Sequence, residues 1–253
     1  MEIRLFPCLK DNYGFLVRDE AGAVATIDTP DAAAIDRELE RAGWRLTHIL
    51  NTHWHPDHAG GNLALKEKWG CRIIAPSGEA SRIAGIDETV GEDDIVALGN
   101  SQARVIETPG HTLGHIIYHF ASDGVAFVGD TIFAIGCGRL FEGTAERMWA
   151  SLSRIAALPP DTRLYCAHEY TQANARFALT VDGANPALKA RAAEVDQARA
   201  KGRPTVPTTV ALERATNPFL RADNPALARA VGLIAASPAE VFAEIRRLKD
   251  NFF

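Results

Sequence analysis

One short segment constrains this chain more than any other. Thr52-His53-Trp54-His55-Pro56-Asp57-His58-Ala59-Gly60-Gly61 packs three histidines and an aspartate close together. It follows directly on His48-Ile49-Leu50, an apolar run that predicts a buried strand. Pro56 prevents regular strand pairing there, and Gly60-Gly61 allow tight backbone turns. The chain is therefore expected to pass from strand through loop to helix, with four metal-capable side chains pointing inward together. A lone histidine after a strand is usually a satisfied or exposed side chain. The spacing HxHxDH is specific enough to reject that reading here. Imidazole and carboxylate donors without cysteine suit zinc, iron or manganese.

Three more polar residues stand where apolar strands stop. His111 lies in Pro109-Gly110-His111-Thr112, Asp130 closes Phe127-Val128-Gly129, and His168 follows Leu164-Tyr165-Cys166. Ligands at several neighbouring strand ends would converge on one edge of the sheets. His48 and His119 read as ordinary strand residues, and His115 as a supporting residue rather than a ligand. Glu169, beside His168, either orients a neighbour or is an exposed carboxylate.

The surrounding pattern is α/β. Short apolar runs at 3–6, 15–17 and 24–27 predict an antiparallel meander. A helix is expected over 32–42, a strand at 48–50, a helix over 61–69 and a strand at 71–75. Strands follow at 103–106, 116–120 and 125–128. A helix over 144–158 has Thr144 as its N-cap, and 163–166 is the last clear strand. Beyond 168 only helices are expected: 172–180, 186–201, 225–236 and 238–249. Ser237-Pro238-Ala239-Glu240 forms a capping box with proline at the first helical position. The layout predicts two packed sheets covered by helices over 1–168, followed by a small helical domain over 169–253.

Composition narrows the function. The chain has 253 residues, with 27 basic against 32 acidic side chains, a net charge of −5. That balance offers no global attraction to nucleic acid or to an anionic membrane. No apolar run approaches the roughly 18 residues needed to span a bilayer. Met1 to Phe6 lack the basic and longer apolar regions of a signal peptide. Cys8, Cys71, Cys137 and Cys166 form no CxxC pair and read as free or buried thiols, with the cytoplasm as the expected compartment.

The motifs at 52–58, 109–112 and 129–130, together with His168, resemble the metallo-β-lactamase superfamily. Gly129-Asp130-Thr131-Ile132-Phe133, the block from Gly136 to Thr144, Cys166-Ala167-His168-Glu169-Tyr170-Thr171 and the C-terminal Arg-Arg-Leu-Lys-Asp are similar to its glyoxalase II (hydroxyacylglutathione hydrolase) branch. The resemblance covers nearly the whole chain. It implies a four-layer αβ/βα sandwich with a small C-terminal all-helical domain. It implies two divalent ions, with zinc expected first and iron or manganese as alternatives. By that resemblance His53, His55 and His111 hold one ion, Asp57, His58 and His168 the other, and Asp130 bridges both.

The same resemblance implies the substrate S-D-lactoylglutathione, cleaved to D-lactate and glutathione in methylglyoxal detoxification. Asp57 and Asp130 are then the catalytic carboxylates. Arg139, Phe141, Tyr170, Arg246 and Lys249 are the expected glutathione contacts. Some relatives carry Lys and Tyr at 139 and 141; Phe141 has no hydroxyl to donate. Read without the family, Phe242, Ile245 and Leu248 form an apolar stripe on the last helix, flanked by Arg246 and Lys249, which reads as a pair of solvated caps. The glutathione thiolate is a competent leaving group, so neither Ser77 nor any cysteine needs a catalytic role. The alternatives are another hydrolase of this fold, such as a lactonase, or an iron persulfide dioxygenase. The expected partner is the small-molecule glutathione thioester; no nucleic acid or membrane is expected, and the chain is expected to act as a monomer.

Overall fold

The computed structural model describes residues 1–252. They fall into two compact units: 1–107 with 113–129, and 108–112 with 130–252.

The first unit begins with the expected meander. β1 (Glu2–Cys8), β2 (Asn12–Arg18) and β3 (Val24–Ile27) pair antiparallel in sequence order. The direction then changes. β3, β4 (His48–Leu50), β5 (Arg72–Pro76) and β6 (Glu88–Val90) run parallel. Parallel neighbours need a crossover. α1 (Ala32–Ala42) supplies the first, capped by the Asp31 side chain at its N-terminus and by left-handed Gly43 at its C-terminus. α2 (Pro56–Ala59) and α3 (Asn62–Trp69) supply the second. Successive residues of β2 serve opposite faces of this sheet. Leu16 joins Ile35, Leu39, Ile49, Leu65 and Ile73 in one core cluster, whereas Phe15 meets Phe127 at 5.7 Å between ring centroids.

Phe127 belongs to an antiparallel set in the same unit, ordered β7 (Ile95–Leu98), β8 (Ser101–Glu107), β9 (Ile116–Phe120) and β10 (Val125–Gly129). Tyr118 of β9 is fully buried and donates its hydroxyl to the Asn51 carbonyl at 2.8 Å. Unit one is thus two sheets face to face, with helices on the outer face of the first.

The second unit holds the hairpin β11 (Ile132–Phe133) and β12 (Gly136–Cys137), α4 (Ala145–Ala156) and β13 (Arg163–Cys166). Helices α5 (Thr171–Val181), α6 (Pro186–Ala200), α7 (Val210–Thr216), α8 (Pro225–Ala230) and α9 (Pro238–Asp250) follow. Thr144 caps α4, and the capping box at Ser237 and Glu240 forms with both of its hydrogen bonds.

Several elements differ from the sequence reading. Pro56 does more than break a strand: it occupies the first turn of α2, where its missing N–H costs nothing. β6 and β7 were not expected, because they are short and carry charged or exposed residues. A strand does occur beyond residue 168: β14 (Thr208–Thr209) pairs antiparallel with β13. The helix expected over 225–236 stops at Ala230, and α7 was missed between two proline-bearing loops.

Candidate metal centre

The first unit places the HxHxDH segment by strand register. Ile27 of β3 faces Leu50 of β4, and Leu50 faces Ile74 of β5, all parallel. The residues that follow these strands therefore emerge side by side at the carboxyl end of the sheet, the usual place for ligand sites in such sheets. His53 is fully buried, His58 nearly so, and His55 and Asp57 are partly open. His53 Nε2 lies 3.0 Å from His55 Nδ1, and His58 Nε2 lies 3.6 Å from Asp57 Oδ2. Asn12 donates to the same Asp57 oxygen at 3.0 Å.

Asp28 organises this segment, and the sequence reading passed over it. It is buried, follows β3, and adopts φ +57°, a left-handed conformation that aspartate tolerates at some cost. Its Oδ1 accepts from Thr52 N at 2.7 Å, and its Oδ2 from Thr52 Oγ1 at 2.7 Å. The same Oδ2 lies 2.8 Å from His58 Nδ1. A carboxylate there keeps the proton on Nδ1 and leaves Nε2 as the donor for a metal, the usual supporting arrangement for a ligating histidine. The only available signal was an aspartate directly after an apolar strand, the rule already applied to Asp130. Asp28→Asn is expected to weaken metal binding by about 10–100-fold, since both carboxylate oxygens accept and an amide sets an NH2 group against Thr52 N–H or against the donors of Thr52 Oγ1 and His58. Chelator competition checks it.

His115 is buried and stacks on His53 with ring centroids 4.8 Å apart. Gly129 is required beside it: at φ +48° a β-carbon would stand 2.6 Å from His115 Nε2 and 2.7 Å from Thr52 Oγ1. His48 lies on β4, where burial lowers its pKa, and His119 lies on β9, as expected.

The second unit gathers the other three residues. Asp130 Oδ2 lies 3.5 Å from His111 Nε2 and 3.4 Å from His168 Nε2, and all three side chains are buried. His111 Nδ1 faces the Arg139 carbonyl at 2.9 Å, which fixes the proton on Nδ1 and turns the lone pair of Nε2 toward the other end of the ring. Tyr170 stacks on His168, 4.7 Å between centroids and 5° between planes. Phe141 is 62% exposed and sets its ring edge against His111 at 5.2 Å.

The basic residues of α9 behave differently from each other. Arg246 is buried, not a solvated cap. Its Nη1 donates to the Cys137 carbonyl at 3.1 Å, and its Nη2 pairs with Asp250 at 2.8 Å. The buried face of the helix is Val241, Phe242, Ile245 and Arg246. Lys249 is partly open, with Nζ 3.4 Å from the Ala173 carbonyl. Burial, with Arg246, Arg176 and Arg139 nearby, lowers its pKa to about 8. Arg176 is a cation the sequence reading did not connect with this place. Arg139 is exposed, 4.0 Å from Asp250. Glu169 is partly buried, and its carboxylate accepts from Thr205 N and Oγ1.

The four cysteines are free and buried, and burial pushes Cys8 and Cys166 up to about 12 and Cys71 and Cys137 to about 11. Thiols held neutral in this way are poor nucleophiles. The site chemistry lies with the histidines and carboxylates. Imidazole nitrogens with carboxylate oxygens beside them fit borderline divalent ions.

Residues 12–168 match the metallo-β-lactamase superfamily, and 169–252 match the hydroxyacylglutathione hydrolase C-terminus. A hydroxyacylglutathione hydrolase of Maricaulis maris (strain MCS10) is 57% identical over 251 residues, covering 99% of this chain and 98% of its own. The chain belongs to the hydroxyacylglutathione hydrolase family. Its relative from Rhizobium meliloti (strain 1021) is 56% identical over 253 residues, 100% of this chain and 99% of that protein. Among solved structures, ETHE1 from Myxococcus xanthus superposes with TM-score 0.70 at 26% identity, covering 99% of this chain and 91% of its own. Hydroxyacylglutathione hydrolase relatives align through the helical third as well as through the metal motifs, so membership rests on the whole chain. No helix among the described residues is long and apolar enough to cross a membrane.

Proposed function

We propose that this protein hydrolyses S-D-lactoylglutathione to D-lactate and glutathione, as a binuclear-metal thioesterase of the cytoplasm acting as a monomer. The observation that carries the reading is the buried Asp130 carboxylate facing the Nε2 atoms of two buried histidines, His111 and His168. Full-length relatives named for this activity support it. In this reading His53, His55 and His111 would hold one ion and Asp57, His58 and His168 the other, with Asp130 a ligand to both. Zinc suits these donors, as do iron and manganese. A domain division at 168/169 is proposed with it, and the meeting point of the two family matches supports that division.

Bound there, divalent ions lower the pKa of water from about 15.7 to about 7 and polarise the thioester carbonyl. The chain supplies orientation and proton placement. Asp28 and the Arg139 carbonyl hold their histidines in the Nδ1–H form. Asp57, partly open and steadied by Asn12, is placed to accept a hydrogen bond from the attacking water. The departing glutathione thiolate needs no protein acid.

Arg139, Phe141, Tyr170, Arg246 and Lys249 are proposed to surround the glutathione moiety. Arg246 is committed to Cys137 and Asp250, so its part is to hold the wall of the site, while Lys249 offers the more accessible charge for a glutathione carboxylate. Because its pKa is depressed to about 8, its positive charge is present below that pH and lost above it. KM for lactoylglutathione is therefore expected to rise between pH 7 and 9 with little change in kcat. In Lys249→Ala, KM should be high and flat across the same range; an unchanged pH profile in the variant would remove Lys249 from the site.

The deciding assay follows thiol release from lactoylglutathione, beside a lactone and a persulfide, with metal analysis of the same sample. Thioester hydrolysis with two metal equivalents is expected. Preference for the lactone or the persulfide would overturn the assignment.

A further inference from the structure

The C-terminal end of β5 stands next to that of β4, and the turn that follows it, Ser77–Arg82, carries a carboxylate the chemistry so far leaves unused. Glu79 is completely buried. Its Oε2 accepts from the backbone N–H of Trp54 at 2.6 Å, and its Oε1 from the backbone N–H of Gly114 at 3.1 Å. Trp54 separates His53 from His55, and Gly114 precedes His115, whose ring stacks on His53. One carboxylate thus ties together both backbone segments that flank the His53 ring. The approach is close by construction: a β-carbon on Gly114 would lie 2.5 Å from Glu79 Cγ, and one on Gly78 would lie 3.1 Å from the Gly114 α-carbon. Arg82, 4.0 Å from the Glu79 carboxylate, lays its guanidinium 4.5 Å from the centre of the Trp54 ring and closes the assembly from outside.

Burying a carboxylate is costly unless its charge is met. Two amide donors and a cation at 4.0 Å face it, and a divalent ion on His53 and His55 would add a further positive charge nearby. We propose that Glu79 is a positioning residue for the metal-binding loop: by holding the Trp54 amide it sets the spacing of His53 and His55, and its buried charge favours the occupied state. This rests on the reading of the segment as a metal centre.

The test uses cobalt(II) as probe on the full chain stripped of metal and reloaded. Glu79→Gln keeps the shape but offers one acceptor where two amides must be met, and carries no charge. Expected are cobalt and zinc affinities lowered about 10–100-fold in chelator competition, as for other residues that orient ligands, with an altered cobalt d–d absorption band. Glu79→Asp, which withdraws the carboxylate by one methylene without changing its charge, should alter the band in the same way and keeps the test open should Glu79→Gln fail to fold. Wild-type affinity and an unchanged band in either folded variant, with only the unfolding midpoint lowered, would overturn the proposal and leave Glu79 as scaffold. Absence of any cobalt uptake by the wild-type protein would instead overturn the metal reading beneath it.

Discussion

Asp130→Asn is expected to abolish turnover and metal retention together. The carboxylate is buried, and one of its oxygens is shared between His111 and His168 Nε2 at 3.5 and 3.4 Å. An amide is isosteric but neutral, and its NH2 group donates where a ligand must accept. A loss in kcat/KM beyond the roughly 100-fold upper range of supporting residues is expected. Metal analysis of the purified variant, run beside the thioester assay, checks it. Full metal content with low activity would restrict Asp130 to catalysis, and full activity would remove it from the centre. The fold should survive, because β10 and the β11–β12 hairpin on either side are held by other groups.

The second large effect is expected in stability. Glu213→Ala should lower the unfolding free energy by about 3–5 kcal/mol, the usual cost of leaving half of a buried ion pair. Glu213 is fully buried on α7, with one oxygen on the Arg191 guanidinium and on Thr208. The other oxygen accepts from the backbone N–H of Ile135 at 2.9 Å and from Asn217 Nδ2 at 2.9 Å. Ile135 sits at the turn of the β11–β12 hairpin with φ +59°, a conformation a β-branched residue avoids. Asn217 also donates to the Phe133 and Gly136 carbonyls, and Asn174 to that of Ala134. The helices therefore hold a strained hairpin that lies between Asp130 and Arg139, whose carbonyl orients His111. Denaturant titration reads the loss. Replacing both partners, Arg191→Met with Glu213→Leu, should recover part of it. The remainder measures the hydrogen bonds that Glu213 accepts from Ile135, Asn217 and Thr208. An unchanged midpoint in Glu213→Ala would show that the hairpin keeps its shape unaided.

The contrast between these positions separates what pattern reveals from what contact reveals. His53, His55, Asp57 and His58 announce themselves because four donor side chains crowd one turn after a strand. His111, Asp130 and His168 could be picked out by a weaker rule, polarity where an apolar run stops. Asp28 satisfies that same rule and escaped, because its partners Thr52 and His58 lie far along the chain and come alongside only through the parallel register of β3 and β4. Glu79 gives no local signal at all: a glutamate in a Ser-Gly-Glu-Ala turn looks solvated until the turn is seen buried against Trp54 and Gly114.

The helical third shows the same division. The capping box and helix-starting prolines of α9 act within one turn, so the start of that helix was readable from its own residues. The fate of its cations was not. Arg246 and Lys249 stand three apart on one helix, yet one is buried against a hairpin carbonyl and the other stays partly open with a lowered pKa. Local spacing determined the candidate ligands, the strands that carry them and the caps of the helices, because these depend on neighbours a few residues away. Tertiary structure alone decided which carboxylates hold those side chains, which cation of the last helix stays accessible and which turn is held under strain, because burial and charge pairing are set by residues that meet only once the sheets and helices have packed.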